Sequence, residues 1–306
     1  MNLDEAQIIG VLAEIFDSSH RGVEVGIGDD GAVVATRERT VITTDMAVEG
    51  THFNCAWSGA FEIGRKICAA NLADIYAMGA TPTYLVAALT LTGQESMEWI
   101  TELAQGIAHE ASSCGAVVVG GDLTRGGLKV ISMTALGEVD TAITRSGAQI
   151  GDGIYLSSLP GWSAAGLASI EVDEPNDLQN YAVDEFCAPS VDYAMAVAFA
   201  NKGAHAMCDL SDALVIQAEQ VAKASGVQFI FNAPAFEKDG EFAQLKELAD
   251  AAQIDIWQWI FAGGEDHVFL ATGKDLPGLC VGEVREGSGV IGLEMKKAPD
   301  TWRHFN

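Results

Sequence analysis

Residues 23–53 read VEVGIGDDGAVVATRERTVITTDMAVEGTHF. Four carboxylates (Asp29, Asp30, Asp45, Glu49), three glycines (Gly26, Gly28, Gly31) and paired threonines (Thr43, Thr44) lie between short apolar runs. Hard oxygen donors beside a glycine-rich turn suit Mg²⁺ held between protein and phosphate oxygens. Similar groups recur downstream: Asn71 and Asp74 three residues apart, Asp122 after two glycines, Asp209, Ser211 and Asp212 in DLSDAL, and GGEDH at 263–267. Singly, each is a helix cap, a turn or a solvated polar face. Repetition at predicted strand ends points instead to a shared ligand. Arg145 is one of few bases, either a bidentate clamp on phosphate or a surface ion pair.

GIGDDG also matches the dinucleotide fingerprint, which requires a helix immediately after it. Ala32–Ala35 and a charged Arg37, Glu38, Arg39 turn stand there instead, and they read as a strand and hairpin running into a second strand over 40–44. Both variable positions are Asp, and two like charges roughly 4 Å apart at a dielectric near 20 cost about 4 kcal/mol. A pyrophosphate would therefore need cations between it and this loop.

The 306 residues suffice for two domains. Forty-three acids against 17 bases give a net charge of −26, which argues against nucleic acid or an anionic membrane as partner. The same charge makes divalent metal a requirement for binding any phosphate. The six cysteines show no CxxC spacing and read as reduced, mostly buried thiols of a cytoplasmic protein. The N-terminus lacks a signal-peptide pattern and no 18-residue apolar segment occurs.

Apolar spacing predicts helices over 4–16, 61–78 and 96–112, and strands over 83–91, 116–119 and 129–137. The Gly-rich TRSGAQIGDG at 144–153 marks a domain boundary, dividing the chain into 1–147 and 148–306. Beyond it come a strand (154–157), a helix start in PGWSAAGLASI, an acidic loop (171–185), a strand (204–208), a helix capped by Ser211 running to Gly226, and a strand (268–271). Strands and helices in this order imply α/β or α+β layers. Trp302, His304 and Phe305 lie where termini normally fray, so something must hold them.

Taken in order, GIGDDGAVV, TTDMAVEGTHF, NLADIYAMGATP, GGDLTRG, TRSGAQIGDG, DLSDAL, GGEDH and WRHF resemble the thiamine-monophosphate kinase family, within the superfamily of aminoimidazole ribonucleotide synthetase. The resemblance spans residues 4–305. It implies an N-terminal α/β domain that dimerises through its sheet, a C-terminal α+β domain, and ATP-dependent phosphorylation of thiamine monophosphate in the cleft between them. Residue by residue it implies several Mg²⁺ ions on Asp30, Thr43, Thr44, Asp45, Asp74, Asp122, Asp209 and Asp212. Gly121, Asp122, Arg145 and Ser211 would contact ATP, and His52, Glu265 and Trp302 would line the thiamine monophosphate site. Asp30, Asp45, Asp74, Asp122 and Asp212 would carry catalysis.

The chain departs from the family pattern at Ala73 (commonly Ser), Leu123 (Thr), Ala213 (Gly), His267 (Tyr) and Thr301 (Gly). None of these removes a carboxylate. A phosphate monoester has a second pKa of about 6, so the acceptor oxygen needs little help from a base, and direct in-line transfer is expected. Other synthetases of the superfamily are the nearest alternative. The hydrogenase maturation dehydratase characteristically ends in Cys, and selenophosphate synthetase carries a reactive Cys or selenocysteine ahead of its metal loop; here the end is His-Phe-Asn and the first Cys is Cys55. An acidic Ca²⁺-binding scaffold would need EF-hand spacing, which is not found.

Overall fold

The computed structural model describes residues 5–16, 22–27 and 31–292. These form two compact units, one from Met1–Ile75 with Ala80–Thr141, the other from Tyr76–Gly79 with Ala142–Asn306.

The first unit contains α1 (Glu5–Ile15), β1 (Val23–Val25), β2 (Val33–Val34), β3 (Thr40–Val48), α2 (Ala60–Ala77), β4 (Thr81–Leu91), α3 (Met97–Ser113), β5 (Val117–Arg125) and β6 (Val130–Glu138). No helix succeeds GIGDDG; β1 and β2 pair with each other, so the helix-dependent dinucleotide reading fails. The expected hairpin across Arg37–Arg39 does not form either. β3 runs past Asp45 to Val48 and pairs with β6 along its whole length, from Thr40↔Glu138 to Val48↔Val130. Arg37 and Arg39 tie this crossing down, Arg37 to Glu138 at 2.9 Å and Arg39 to the carbonyl of Asp140.

The main sheet has the order β3-β6-β4-β5. One face is closed by α2 and α3, which lie so close that a Cβ on Gly64 would stand 2.2 Å from the carbonyl oxygen of Leu103. Ser96 caps α3 through the amide of Trp99. Alternation assigns each β3 residue to a face. Thr43 and Asp45 pair with buried Ala135 and Met133 on the helix-covered side, while Ile42, Thr44 and Met46 lie on the open side.

The second unit comprises β7 (Gly153–Leu156), α4 (Trp162–Ser169), α5 (Asp177–Cys187), α6 (Tyr193–Asn201), β8 (Ala206–Asp209), α7 (Leu214–Ser225), β9 (Gln228–Phe231), α8 (Ala233–Phe236), α9 (Phe242–Ala252), α10 (Ile256–Ala262), β10 (Phe269–Gly273), β11 (Leu279–Arg285) and β12 (Gly289–Ile291). Its sheet has the order β12-β9-β11-β7-β10-β8, antiparallel except for β12 beside β9. Ile154, Leu156, Phe229, Phe236, Phe261 and Val281 fill its core.

Two sequence expectations fail here. The acidic stretch 171–185 is not all loop: α5 starts at a capping box in which Asn176 and Gln179 bond each other's backbone amides at 2.9 Å. Nor does Ser211 cap α7, which begins after Ala213, whose amide is held by Gln217 Oε1 at 2.9 Å.

Candidate active site

In the first unit, Thr43 Oγ1 donates to Asp74 Oδ2 at 2.6 Å, joining the TTD strand to the NLAD helix. Asn71, one turn earlier on α2, is fully buried; its amide donates to Ile67 O and its Oδ1 has no partner among the described residues. Thr43, Asp45 and Asp74 therefore share the helix-covered side of the sheet.

Asp122 does not join them. It lies within β5 rather than at a strand end, and pairs with Ala88, which pairs with Ser132, which in turn pairs with Met46, all on the open face. Its neighbour Leu123 turns to the covered face and packs against Ile8, Leu91 and Ile100. Asp45 and Asp122 are also separated by three strand spacings of about 4.8 Å, about 14 Å in all. Gly121 has a packing role, because a Cβ there would meet Ala87 O at 1.9 Å.

Glu49, one of the four carboxylates of the opening stretch, is committed elsewhere. It accepts from Lys129 Nζ at 2.9 and 3.1 Å, and its amide donates to Lys129 O. Burial pushes its carboxyl up, but Lys129 and Cys55 outweigh this and hold it below the usual range. The ion pair anchors the turn that carries His52, whose Nδ1 accepts the Val48 amide at 3.1 Å. A ring nitrogen accepting an N–H carries no proton, so His52 presents Nε2–H as a donor.

In the second unit, GGEDH and DLSD are laced together. Glu265 N donates to Ser211 O at 2.7 Å and His267 N to Leu210 O at 3.1 Å. Gly264 lies against the same turn, where a Cβ would stand 2.3 Å from Asp212 O and 2.7 Å from Ser211 O. Glu265 and His267 both hold left-handed backbone, φ +66° and +50°, which costs about 1–3 kcal/mol each. These contacts offset that strain and hold the backbone segments that carry Asp209, Ser211, Asp212 and Glu265 together as one group. Arg145 reaches it from the TRSGAQIGDG loop. Burial pushes the Cys208 thiol up to about 12, with Asp209 adding to the rise and Arg145 opposing it by charge and a hydrogen bond. The loop itself is pinned by Ser225, whose hydroxyl donates to Arg145 O, and by Asp152, which accepts from Gln149 N and pairs with His205.

Asp266 gives no distinct signal in the sequence, yet it anchors this group. It accepts Gly161 N and Ser163 N, both at 2.8 Å, and so caps α4, whose own N-cap is a left-handed glycine without a side chain. Burial raises its pKa from 3.8 to about 6 against the pull of those amides and of His267. Because the folded-state value is raised, its stability contribution is complete below about pH 3.8 and is lost as pH rises through about 6. We expect wild type to lose roughly 2 kcal/mol relative to Asp266→Asn between pH 4 and pH 7, most of the about 3 kcal/mol that the full shift carries. Urea melts of both proteins at those pH values check this; parallel pH profiles would refute it.

Asp30 and Trp302 fall outside the described residues. Among the described residues, no three His, Cys, Asp or Glu side chains form a metal-binding cluster. The oxygen donors that are present still fit Mg²⁺, which usually takes one or two carboxylates and completes its shell with phosphate and water.

The chain matches two family models, the AIR synthase related protein N-terminal domain over residues 28–139 and its C-terminal domain over 149–273. It is 35% identical to the thiamine-monophosphate kinase of Corynebacterium glutamicum over 280 residues, covering 89% of this chain and 82% of the relative. The chain belongs to the thiamine-monophosphate kinase family. The solved thiamine-monophosphate kinase of Stenotrophomonas maltophilia K279a superposes with a TM-score of 0.79 at 29% identity, covering 95% of this chain and 96% of that one. AaThiL, the Aquifex aeolicus member of the family, solved in complex with AMPPCP and TMP, also gives 0.79, at 25% identity, over 100% and 99% of the two chains. The two-domain α+β architecture read from the sequence is that of this kinase family.

Proposed function

We infer that this chain transfers the γ-phosphate of ATP to thiamine monophosphate, giving thiamine diphosphate and ADP. The observation that carries the reading is its identity to a thiamine-monophosphate kinase along 89% of its length. The AMPPCP and TMP bound to AaThiL are an ATP analogue and the matching acceptor. The residues supply suitable chemistry. At neutral pH the acceptor phosphate is largely ionised, so no strong base is required. The task is to bring two polyanions together in a chain of net charge −26.

Mg²⁺ would supply positive charge between the phosphates. Asp30, Thr43, Thr44, Asp45, Asp74, Asp122, Asp209 and Asp212 are the oxygen donors we assign to hold it. Gly121, Asp122, Arg145 and Ser211 serve ATP, with Arg145 as the clamp. His52, Glu265 and Trp302 serve the acceptor, with His52 donating through Nε2–H. The transfer is direct, without a phosphoenzyme.

We further propose a homodimer joined through the open face of the β3-β6-β4-β5 sheet. Ile42 and Met46 are 65% and 58% exposed on that face. Asp122 lies there too, too far from Asp45 to share an ion with it in one chain, since Mg²⁺–oxygen distances are about 2.1 Å. A second copy packed on this face brings its own Asp122 beside the first copy's Thr44, the residue before Asp45 on the edge strand β3, so each site uses both chains. We place the enzyme in the cytoplasm. All six cysteines are free thiols, and among the described residues no helix is long and apolar enough to cross a membrane.

Incubation with ATP, Mg²⁺ and thiamine monophosphate should yield thiamine diphosphate and ADP in equal amounts. Chelation should stop the reaction and added Mg²⁺ restore it. Consumption of thiamine in place of its monophosphate, or ADP without thiamine diphosphate, would sink the assignment.

A further inference from the structure

We propose that His267 is a positioning residue that fixes the orientation of the Asp209 carboxylate for a divalent cation. The inference rests on the kinase reading above. His267 Nδ1 lies 2.9 Å from Asp209 Oδ2, with the two residues only 6% and 2% exposed. An ionised carboxylate can only accept, so the ring nitrogen is the donor and its proton sits on Nδ1.

The bond could be a staple holding the GGEDH loop, but that loop has several others. Glu265 N and His267 N already bond Ser211 O and Leu210 O, Gly264 packs on the same turn, and Asp266 is fixed to the start of α4. Adding a strained φ of +50° at His267 is a poor way to gain one more tether. What the side chain adds is direction. Asp209 ends β8 opposite Phe269, and with Oδ2 engaged by the imidazole its rotation is stopped, leaving Oδ1 as the ligating oxygen. Hydrogen bonds that orient metal ligands change metal affinity or activity by about 10- to 100-fold when removed.

The test measures binding of Mn²⁺ with AMPPCP by electron paramagnetic resonance, without turnover, in wild type and in Asp209→Asn, His267→Asn, His267→Gln and His267→Phe. Asparagine can place an amide N–H where Nδ1 stands, whereas glutamine places it near Nε2. We expect Asp209→Asn, His267→Gln and His267→Phe to weaken Mn²⁺ binding by about 10- to 100-fold. His267→Asn should stay within about threefold of wild type. The contrast between Asn and Gln reports on direction and does not depend on the Phe variant folding. Equal Mn²⁺ affinity in the Asn and Gln variants overturns the proposal, as does unchanged affinity in Asp209→Asn. Either result can coexist with thiamine diphosphate formation by wild type, whereas its absence in wild type refutes the kinase reading itself.

Discussion

Asp45→Asn and Asp122→Asn should each lower kcat by about 10³-fold, and mixing the two inactive proteins should restore about a quarter of wild-type activity. The first number comes from removing one carboxylate that balances charge on a metal–phosphate complex, a loss of about 4 kcal/mol in the transition state. The second comes from the sheet. Asp45 lies on the covered side of β3 and Asp122 on the open side of β5, about 14 Å across the strand order. If Asp122 serves the other chain, a mixed dimer holds one doubly damaged site and one intact site. Free exchange makes about half of all dimers mixed, hence about one quarter of full activity for a two-fold dimer. Steady-state assays before and after subunit exchange measure it. Failure to regain activity, with mixed dimers verified by mass, would put both carboxylates to work within one chain.

That separation is not legible in the sequence, and the reason is physical. Local pattern is enough to locate α2 and α3, because apolar residues at helical spacing and a Ser96 cap are short-range signals. It also locates the acidic motifs. Which side of a sheet each Asp occupies depends on register between strands far apart in the chain, such as Asp45 with Met133 and Asp122 with Ala88. Competition among polar partners is equally hidden. Glu49 has the look of a ligand but is taken by Lys129, and Ser211 has the look of a cap, yet Gln217 takes the Ala213 amide. The helix α5 has Leu178, Ala182 and Phe186 at helical spacing and Asn176 and Gln179 at capping-box spacing, but the acidic and polar residues between them mask both signals. Asp266 is inconspicuous beside Glu265 because its partners, Gly161 and Ser163, lie more than a hundred residues away.

Gly264→Ala should lower kcat/KM by about 10²-fold while leaving the overall fold in place. The glycine is required by space rather than by φ, since its backbone is not left-handed. A methyl group there would stand 2.3 Å from Asp212 O and 2.7 Å from Ser211 O, and both are backbone atoms that cannot rotate away. The GGEDH loop must therefore lift from the DLSD turn by the better part of an ångström. The bond from Glu265 N to Ser211 O at 2.7 Å is the first to stretch, and with it goes the restraint that holds Glu265 in its left-handed conformation. A misplacement of about 1 Å in groups that position reactants can cost about 10²-fold. Gly240→Ala serves as the control, because a Cβ at that position meets nothing within 4 Å. Its activity should match wild type. Kinetics and thermal unfolding of the two variants side by side distinguish a site effect from general destabilisation. Full activity in Gly264→Ala would mean that the contact between the two motifs does not set the geometry of the reaction.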